Sequence, residues 1–99
     1  MMILKFGGFD WDSGNLPKCL NHGVSLAEIE ALFAGDVYLV DEKNDGQETR
    51  SLACGTVNER WVFCVFVWRG DRIRPVSVRY MHEKEVRRYA EEISRLQNR

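Results

Sequence analysis

Proline is nearly missing from this chain, with two among 99 residues, and no stretch is repeated, of low complexity or rich in Pro, Gly and Ser together. That excludes a flexible linker or a disordered tail. No apolar run approaches the roughly 20 residues of a membrane-spanning helix. The longest, Trp61 to Trp68, holds eight residues and ends at Arg69, which suits a buried strand. The start, Met1-Met2-Ile3-Leu4-Lys5-Phe6, lacks a basic leader, a long apolar stretch and a small-residue cleavage site, so the expected location is the cytoplasm. Cys19, Cys54 and Cys64 are odd in number and form no Cys-x-x-Cys pair, which argues against a disulfide framework. No Gly-rich phosphate loop, Ser-His-Asp set or pair of catalytic carboxylates can be assembled, and no cofactor is expected.

What is present is enough apolar surface for one core: 44% hydrophobic against 29% charged residues, at the length of one domain over residues 1–99. Net charge is only −1, but it is segregated. Residues 1–59 carry four Lys and Arg against ten Asp and Glu, whereas residues 60–99 carry ten against five. A basic C-terminal half meets the electrostatic requirement for contacting nucleic-acid phosphates or an acidic protein.

Phe6, Phe9 and Trp11 among Gly7, Gly8, Asp10 and Asp12 predict a short strand or an extended arm anchored by aromatics. Asp12 or Ser13 can cap a first short helix running to about Asn21, with Gly23 as a left-handed stop. Ser25-Leu26-Ala27-Glu28 is a capping box, and Ile29, Leu32 and Phe33 keep helical spacing until Gly35. Val37 to Val40 predicts a strand, Asp45-Gly46 a turn into Glu48 to Val57, and Asn58-Glu59-Arg60 a tight connection into Trp61 to Trp68. The last of these is apolar at both parities and is expected at the centre of the sheet. Arg72 to Tyr80 follows as a strand in which Pro75 suggests an edge position, with Val76 and Val78 on the parity of Arg72, Arg74 and Tyr80. Val86, Tyr89, Ala90, Ile93 and Leu96 mark a final amphipathic helix. The expected class is α+β: four antiparallel strands with two short N-terminal helices and one C-terminal helix.

Two patches carry chemistry. In Lys18-Cys19-Leu20-Asn21-His22-Gly23, Cys19 and His22 stand at the spacing of a metal half-site, but there is no second pair, and no metal is expected. His22 beside Lys18 presents a proton-transfer group next to a fixed positive charge; equally, His22 serves as a cap on the last helical carbonyls. The second patch is Arg72, Arg74, Arg79, Tyr80 and His82. Arginines on a strand are costly to bury, so this face should be open to solvent or ligand. RNA cleavage needs a proton removed from a 2′-hydroxyl, a pentavalent phosphate neutralised and a proton given to the 5′-oxygen, which guanidiniums and a histidine can supply without metal. Arg74 and Arg79 would stabilise charge, His22 or His82 would move protons, and Tyr80 would stack on a base or donate to phosphate. The competing reading is a solvated edge strand with ion pairs to Glu48 or Asp41. The helix surface carrying Lys84, Arg87, Arg88 and Arg95 would at most steer phosphate.

These residues resemble a known family. Phe9-Asp10-Trp11-Asp12, Gly14-Asn15, Lys18 and His22-Gly23-Val24-Ser25, then Arg69-Gly70-Asp71-Arg72-Ile73-Arg74, Ser77-Val78-Arg79 and Glu85-Val86-Arg87-Arg88-Tyr89, are similar in order and spacing to the BrnT toxins, from about Phe9 to Tyr89. The resemblance implies a RelE-like ribonuclease that arrests translation as the toxin of a type II toxin-antitoxin pair. It also implies a BrnA-like ribbon-helix-helix antitoxin that binds the toxin, as a heterotetramer of two and two, and represses through operator DNA. By the same resemblance Lys18, His22, Arg72, Arg74 and Arg79 fall on family positions. The catalytic candidates are therefore His22, Arg74, Arg79 and Tyr80, with Lys18, Arg72, His82, Arg87 and Arg88 binding substrate.

Two departures stand out: Tyr80 where the family often has a second basic residue, and Pro75 within a strand that is usually aliphatic. Because Arg74 and Arg79 have opposite parity, both can reach one phosphate only if a bend or bulge at Pro75 re-aims the strand, and that irregularity is expected. The alternative function is a non-catalytic interaction module, a degenerate toxin that docks an acidic partner or contributes to operator binding.

Overall fold

The computed structural model describes residues 2–44 and 46–97, the last two by backbone only, so Asp45 and the side chain of Leu96 lie outside the described part. The chain opens as an extended arm, then forms α1 (Leu16–Cys19), a 3₁₀ turn (Leu20–His22) and α2 (Leu26–Ala34). Four strands follow, β1 (Tyr38–Asn44), β2 (Thr49–Val57), β3 (Arg60–Arg69) and β4 (Arg72–Tyr80), and α3 (Glu83–Gln97) ends the chain. The strands form one antiparallel meander in the order β1-β2-β3-β4, so β3 is internal and β4, with Pro75, is an edge strand.

Local chemistry sets these boundaries. Pro17 sits in the first turn of α1, and the N-cap is Asn15 rather than Asp12 or Ser13, without a side-chain capping bond. Asn15 is instead buried as a brace: its Oδ1 accepts from Asp12 N at 2.8 Å, and its Nδ2 donates to the carbonyls of Asp10 and Pro75, each at 2.9 Å. Gly23 ends the 3₁₀ turn at φ 86°, the left-handed conformation that glycine adopts without a Cβ penalty. The capping box of α2 is complete, with Ser25 and Glu28 exchanging hydrogen bonds at 3.1 Å. Asn58 and Glu59 both have positive φ, 51° and 67°, as a two-residue turn between β2 and β3 requires.

The sheet separates two apolar clusters. One face packs under the arm and the first two helices: Ile29, Leu32 and Phe33 from α2 meet Ala53, Val62, Cys64, Phe66, Ile73 and Val78 from the sheet. Phe33 is the hub, edge-on to Phe6, Phe9 and Phe66 at centroid distances of 6.3, 5.9 and 5.3 Å. Full burial of each such side chain contributes about 1.5–3 kcal/mol. The arm continues beside β4, where Asp10 N donates to the Ile73 carbonyl at 2.9 Å and Ile73 N to the Gly8 carbonyl at 3.0 Å. On the opposite face α3 lays Tyr89 and Ile93 over Cys54 and Phe63, with Tyr38, Val40, Leu52 and Trp61 around them. This second cluster is small. The end of the same face that carries Leu52, Val65 and Ser77 is left to a surface groove.

Both edge strands are bulged. On β4 the register passes from Val65↔Ser77 to Phe66↔Pro75, so Val76 is the extra residue. On β1 it passes from Leu39↔Ala53 to Asp41↔Leu52, so Val40 is extra. Each bulge exchanges the faces of all residues beyond it. Val78 and Tyr80 therefore pack on the face of the first cluster, while Arg72 and Arg74 register with Arg69 and Val67 on the other. The shared parity of Val76, Val78 and Tyr80 with Arg72 and Arg74 holds for an unbroken strand and fails here at Val76.

Candidate functional site

The bulge at Val76 brings Arg74 and Arg79 onto one face. Arg79 registers with Phe63 and Arg74 with Val67, four residues further along β3, which separates them by roughly 13 Å at about 3.3 Å per residue. With Arg79 held on Glu85 and Arg74 on Asp12, the two guanidiniums stand at separate points of this face, an arrangement suited to separate phosphates of one strand. The expected irregularity is present, and its consequence is a shared surface rather than a shared point.

Each arginine is held by a carboxylate. Arg79 makes a bidentate pair with Glu85, both bonds 2.7 Å, and its guanidinium lies 4.8 Å from the Phe63 ring centroid. Glu85 also accepts the backbone N–H of His82 at 3.0 Å, so one side chain caps α3 and anchors the arginine. The Arg79 guanidinium, and after it the His82 N–H, lower the Glu85 carboxyl to about 2. Arg74 is forked onto Asp12, with both bonds 3.0 Å, and lies 3.6 Å from Asp10. The Arg74 hydrogen bonds hold Asp12 below the usual carboxylate range. Arg69 pairs with Glu48. Of the two acids expected to pair across the sheet, Asp41 sits on the far edge strand instead.

Arg79 and Glu85, with Ser77, Phe63, Val65 and Tyr89, line a cavity of about 220 Å³ where the rim of α3 meets the uncovered sheet. His82 is not among its lining residues; exposed at the start of α3, it adjoins the cavity through Glu85, which accepts its backbone N–H at 3.0 Å and whose carboxyl its charge lowers further. Arginine, carboxylate and imidazole thus stand together at one solvent-reachable place. Such a cluster can bind a phosphate and move protons beside it.

Other expected participants are elsewhere. Tyr80 lies on the opposite face: its hydroxyl donates to Glu28 at 2.7 Å, and the Arg60 guanidinium stacks 3.4 Å above its ring. The hydrogen bond to Glu28 raises the Tyr80 hydroxyl above its ordinary value. His22 and Lys18 are exposed on the 3₁₀ turn and α1, flanked by the buried Cys19 and Val24 of the first cluster. The predicted convergence of His22, Arg74, Arg79 and Tyr80 is corrected accordingly. The alternation of β4 divides Tyr80 from Arg79, and α1 with its 3₁₀ turn packs on the Tyr80 side. Arg72 is exposed beside Arg69; Arg87 pairs with Glu83 at 2.7 Å, and Arg88 lies 3.9 Å from Glu92, both on the wet side of α3. Burial raises Cys54 to about 11 and pushes the Cys64 thiol well above its ordinary value, which makes both thiols inert. Among the described residues no group of three or more His, Cys, Asp or Glu could hold a metal ion, and no helix is long and apolar enough to cross a membrane.

The sequence reading missed Glu85 as a site residue, and Lys43, Arg50 and Asp41 as members of this face. The alternation Arg50, Leu52, Cys54 was a readable signal for Arg50. Lys43 and Asp41 were not readable, because their side of the sheet depends on the bulge at Val40.

Comparison with known proteins agrees with the motifs. The family model for the ribonuclease toxin BrnT of type II toxin-antitoxin systems matches residues 11–85. No curated protein and no solved structure matches significantly. The matched span runs from the aromatic arm through both bulged strands to Glu85, and the chain belongs to the BrnT family of ribonuclease toxins.

Proposed function

We propose that this protein is a metal-independent RNA endonuclease, RelE-like in fold and one domain over residues 1–99, that inhibits translation by cutting RNA laid across the open face of its sheet. The observation that carries this is the Arg79, Glu85 and His82 cluster beside a cavity, on the face to which the Val76 bulge also delivers Arg74.

Arg79 binds the scissile phosphate, and Arg74 and Arg72 hold neighbouring ones. A phosphate that takes the Arg79 fork releases Glu85 from the guanidinium that keeps it acidic, so the carboxyl rises toward its ordinary range and becomes a better proton acceptor. Glu85 or His82 takes the 2′-hydroxyl proton as the 2′-oxygen attacks phosphorus, and Arg79 neutralises the charge gained by the phosphoryl oxygens. The bond to the 5′-oxygen breaks, with a proton supplied by the imidazolium of His82, leaving a 2′,3′-cyclic phosphate and a 5′-hydroxyl. His82 takes the proton-transfer role first considered for His22. Lys18, Arg87 and Arg88 add long-range attraction.

The same family membership supports an antitoxin partner; a BrnA-like ribbon-helix-helix protein, in a heterotetramer that reaches operator DNA through the antitoxin, is the form proposed. The test is incubation of purified protein with single-stranded RNA in excess chelator. Products ending in 2′,3′-cyclic phosphate support the proposal. RNA left intact, together with tight binding of an acidic antitoxin segment, selects the interaction-module reading, which the three carboxylate-held arginines Arg69, Arg74 and Arg79 also suit.

A further inference from the structure

A second cavity, of about 160 Å³, opens on the same face and is lined by Asp41, Lys43, Arg50, Ser51, Leu52 and Val65. It shares Leu52 and Val65 with the cavity at Arg79. Asp41, Leu52, Val65 and Ser77 are successive register partners, so one row across the sheet joins the two. At roughly 4.8 Å between strands, Asp41 stands about 14 Å from Ser77. That is a groove with two stations.

The composition of the second station is specific. Leu52 and Val65 give it an apolar floor, Lys43 and Arg50 give it cationic walls, and Asp41 is the only acid among the described residues that line it. Beyond the backbone ladder of β1 and β2, the side chain of Asp41 makes no hydrogen bond or ion pair among the described residues, and neither do those of Lys43 and Arg50. Asp41 is placed by the bulge. It reaches this face only because Val40 is bulged out of the β1 register. Without that bulge Val40 would stand opposite Leu52 and Asp41 would turn to the opposite face, beside Ser51.

We propose that this cavity is a nucleobase subsite, in which Asp41 selects guanine in the RNA. The proposal rests on the reading of the groove as an RNA track. An apolar floor takes the flat face of a base, and a guanidinium can stack on its other face. A carboxylate accepts hydrogen bonds and donates none, so it selects base edges rich in donors. Guanine alone offers two adjacent donors, N1–H and the N2 amino group, to both oxygens of one carboxylate. Adenine and cytosine pair one amino group with a ring acceptor that repels the second oxygen, and uracil flanks its single N–H with two carbonyls. With Arg50 stacked on the base, Lys43 meets the adjoining phosphate.

The experiment is equilibrium binding, by fluorescence anisotropy, of 2′-O-methyl pentanucleotides that cannot be cut at the sugar. Each is uridine except for a central guanosine, inosine or adenosine. The guanosine oligonucleotide should bind roughly tenfold more tightly than the inosine one, which lacks only the N2 amino group. Asp41→Asn, which replaces one acceptor with a donor, should abolish that difference. Equal affinity for guanosine and inosine, or a preference unchanged in Asp41→Asn, overturns the proposal. The two readings fail separately: RNA cut without base preference removes the subsite and keeps the nuclease, whereas Asp41-dependent preference in a protein that cuts nothing does the reverse.

Discussion

Replacing Glu85 with Gln separates the two jobs of that side chain. Gln keeps the shape and an acceptor for the His82 N–H, so the cap on α3 survives, but it removes the charge that holds Arg79. Lowering of the carboxyl from 4.5 to about 2 corresponds to at most about 3.4 kcal/mol at about 1.36 kcal/mol per unit. Exposure reduces this: the side chains of Arg79 and Glu85 are 39% and 26% accessible, so solvent screens the pair and about 1–2 kcal/mol is the expected contribution. The sign follows from linkage. Because the folded-state carboxyl is more acidic than the unfolded one, its contribution is complete above about pH 4.5 and is lost as pH falls toward 2. Urea denaturation of both proteins from pH 7 to pH 2 measures it. The wild type should exceed Glu85→Gln by about 1–2 kcal/mol at neutral pH, and the gap should close through the acid range. A gap that persists unchanged at pH 2, or is absent at pH 7, refutes the assignment.

Three further substitutions test the frame. Ser25→Ala removes one half of the capping box of α2 and should lower stability by about 1 kcal/mol in thermal or chemical unfolding. Gly55→Ala should be more damaging, because the added Cβ would lie 2.9 Å from Leu32 Cδ1 and 3.1 Å from the Asp36 carbonyl; a drop of about 1–3 kcal/mol is expected in the same assay. Tyr80→Phe deletes the hydroxyl bonded to Glu28 and should leave RNA cleavage within about twofold of wild type, measured as initial rate at saturating RNA.

How far the sequence carries is visible at β4. Its limits and its edge position were both legible, because Gly70 marks the turn before it and Pro75 tolerates only an edge. Alternation then assigned Tyr80 to the same face as Arg74, and that assignment failed at a single residue. An irregularity at Pro75 was expected from the roles that the family resemblance gives Arg74 and Arg79, but composition and period do not place the extra residue at Val76, so the change of face was not carried through to Tyr80. The capping box of α2 was legible because both partners sit within four residues. Gly23 was legible because only a left-handed residue ends that turn cheaply. The Arg79 and Glu85 pair was hidden for the opposite reason, since it joins a strand to the helix after it and depends on where α3 docks. The sequence presented Asp12 as a helix cap; the fold gives that role to Asn15 and lends the carboxylate to Arg74, 62 residues away.

Initial cleavage rates of Arg79→Ala, His82→Ala and His22→Ala on one single-stranded RNA decide whether the chemistry sits on the open sheet face, as proposed, or at Tyr80 and His22. Loss of about 100-fold or more for Arg79→Ala, a substantial loss for His82→Ala and an unchanged rate for His22→Ala is the predicted pattern. A His22→Ala protein that is inactive while Arg79→Ala still cuts would contradict the account.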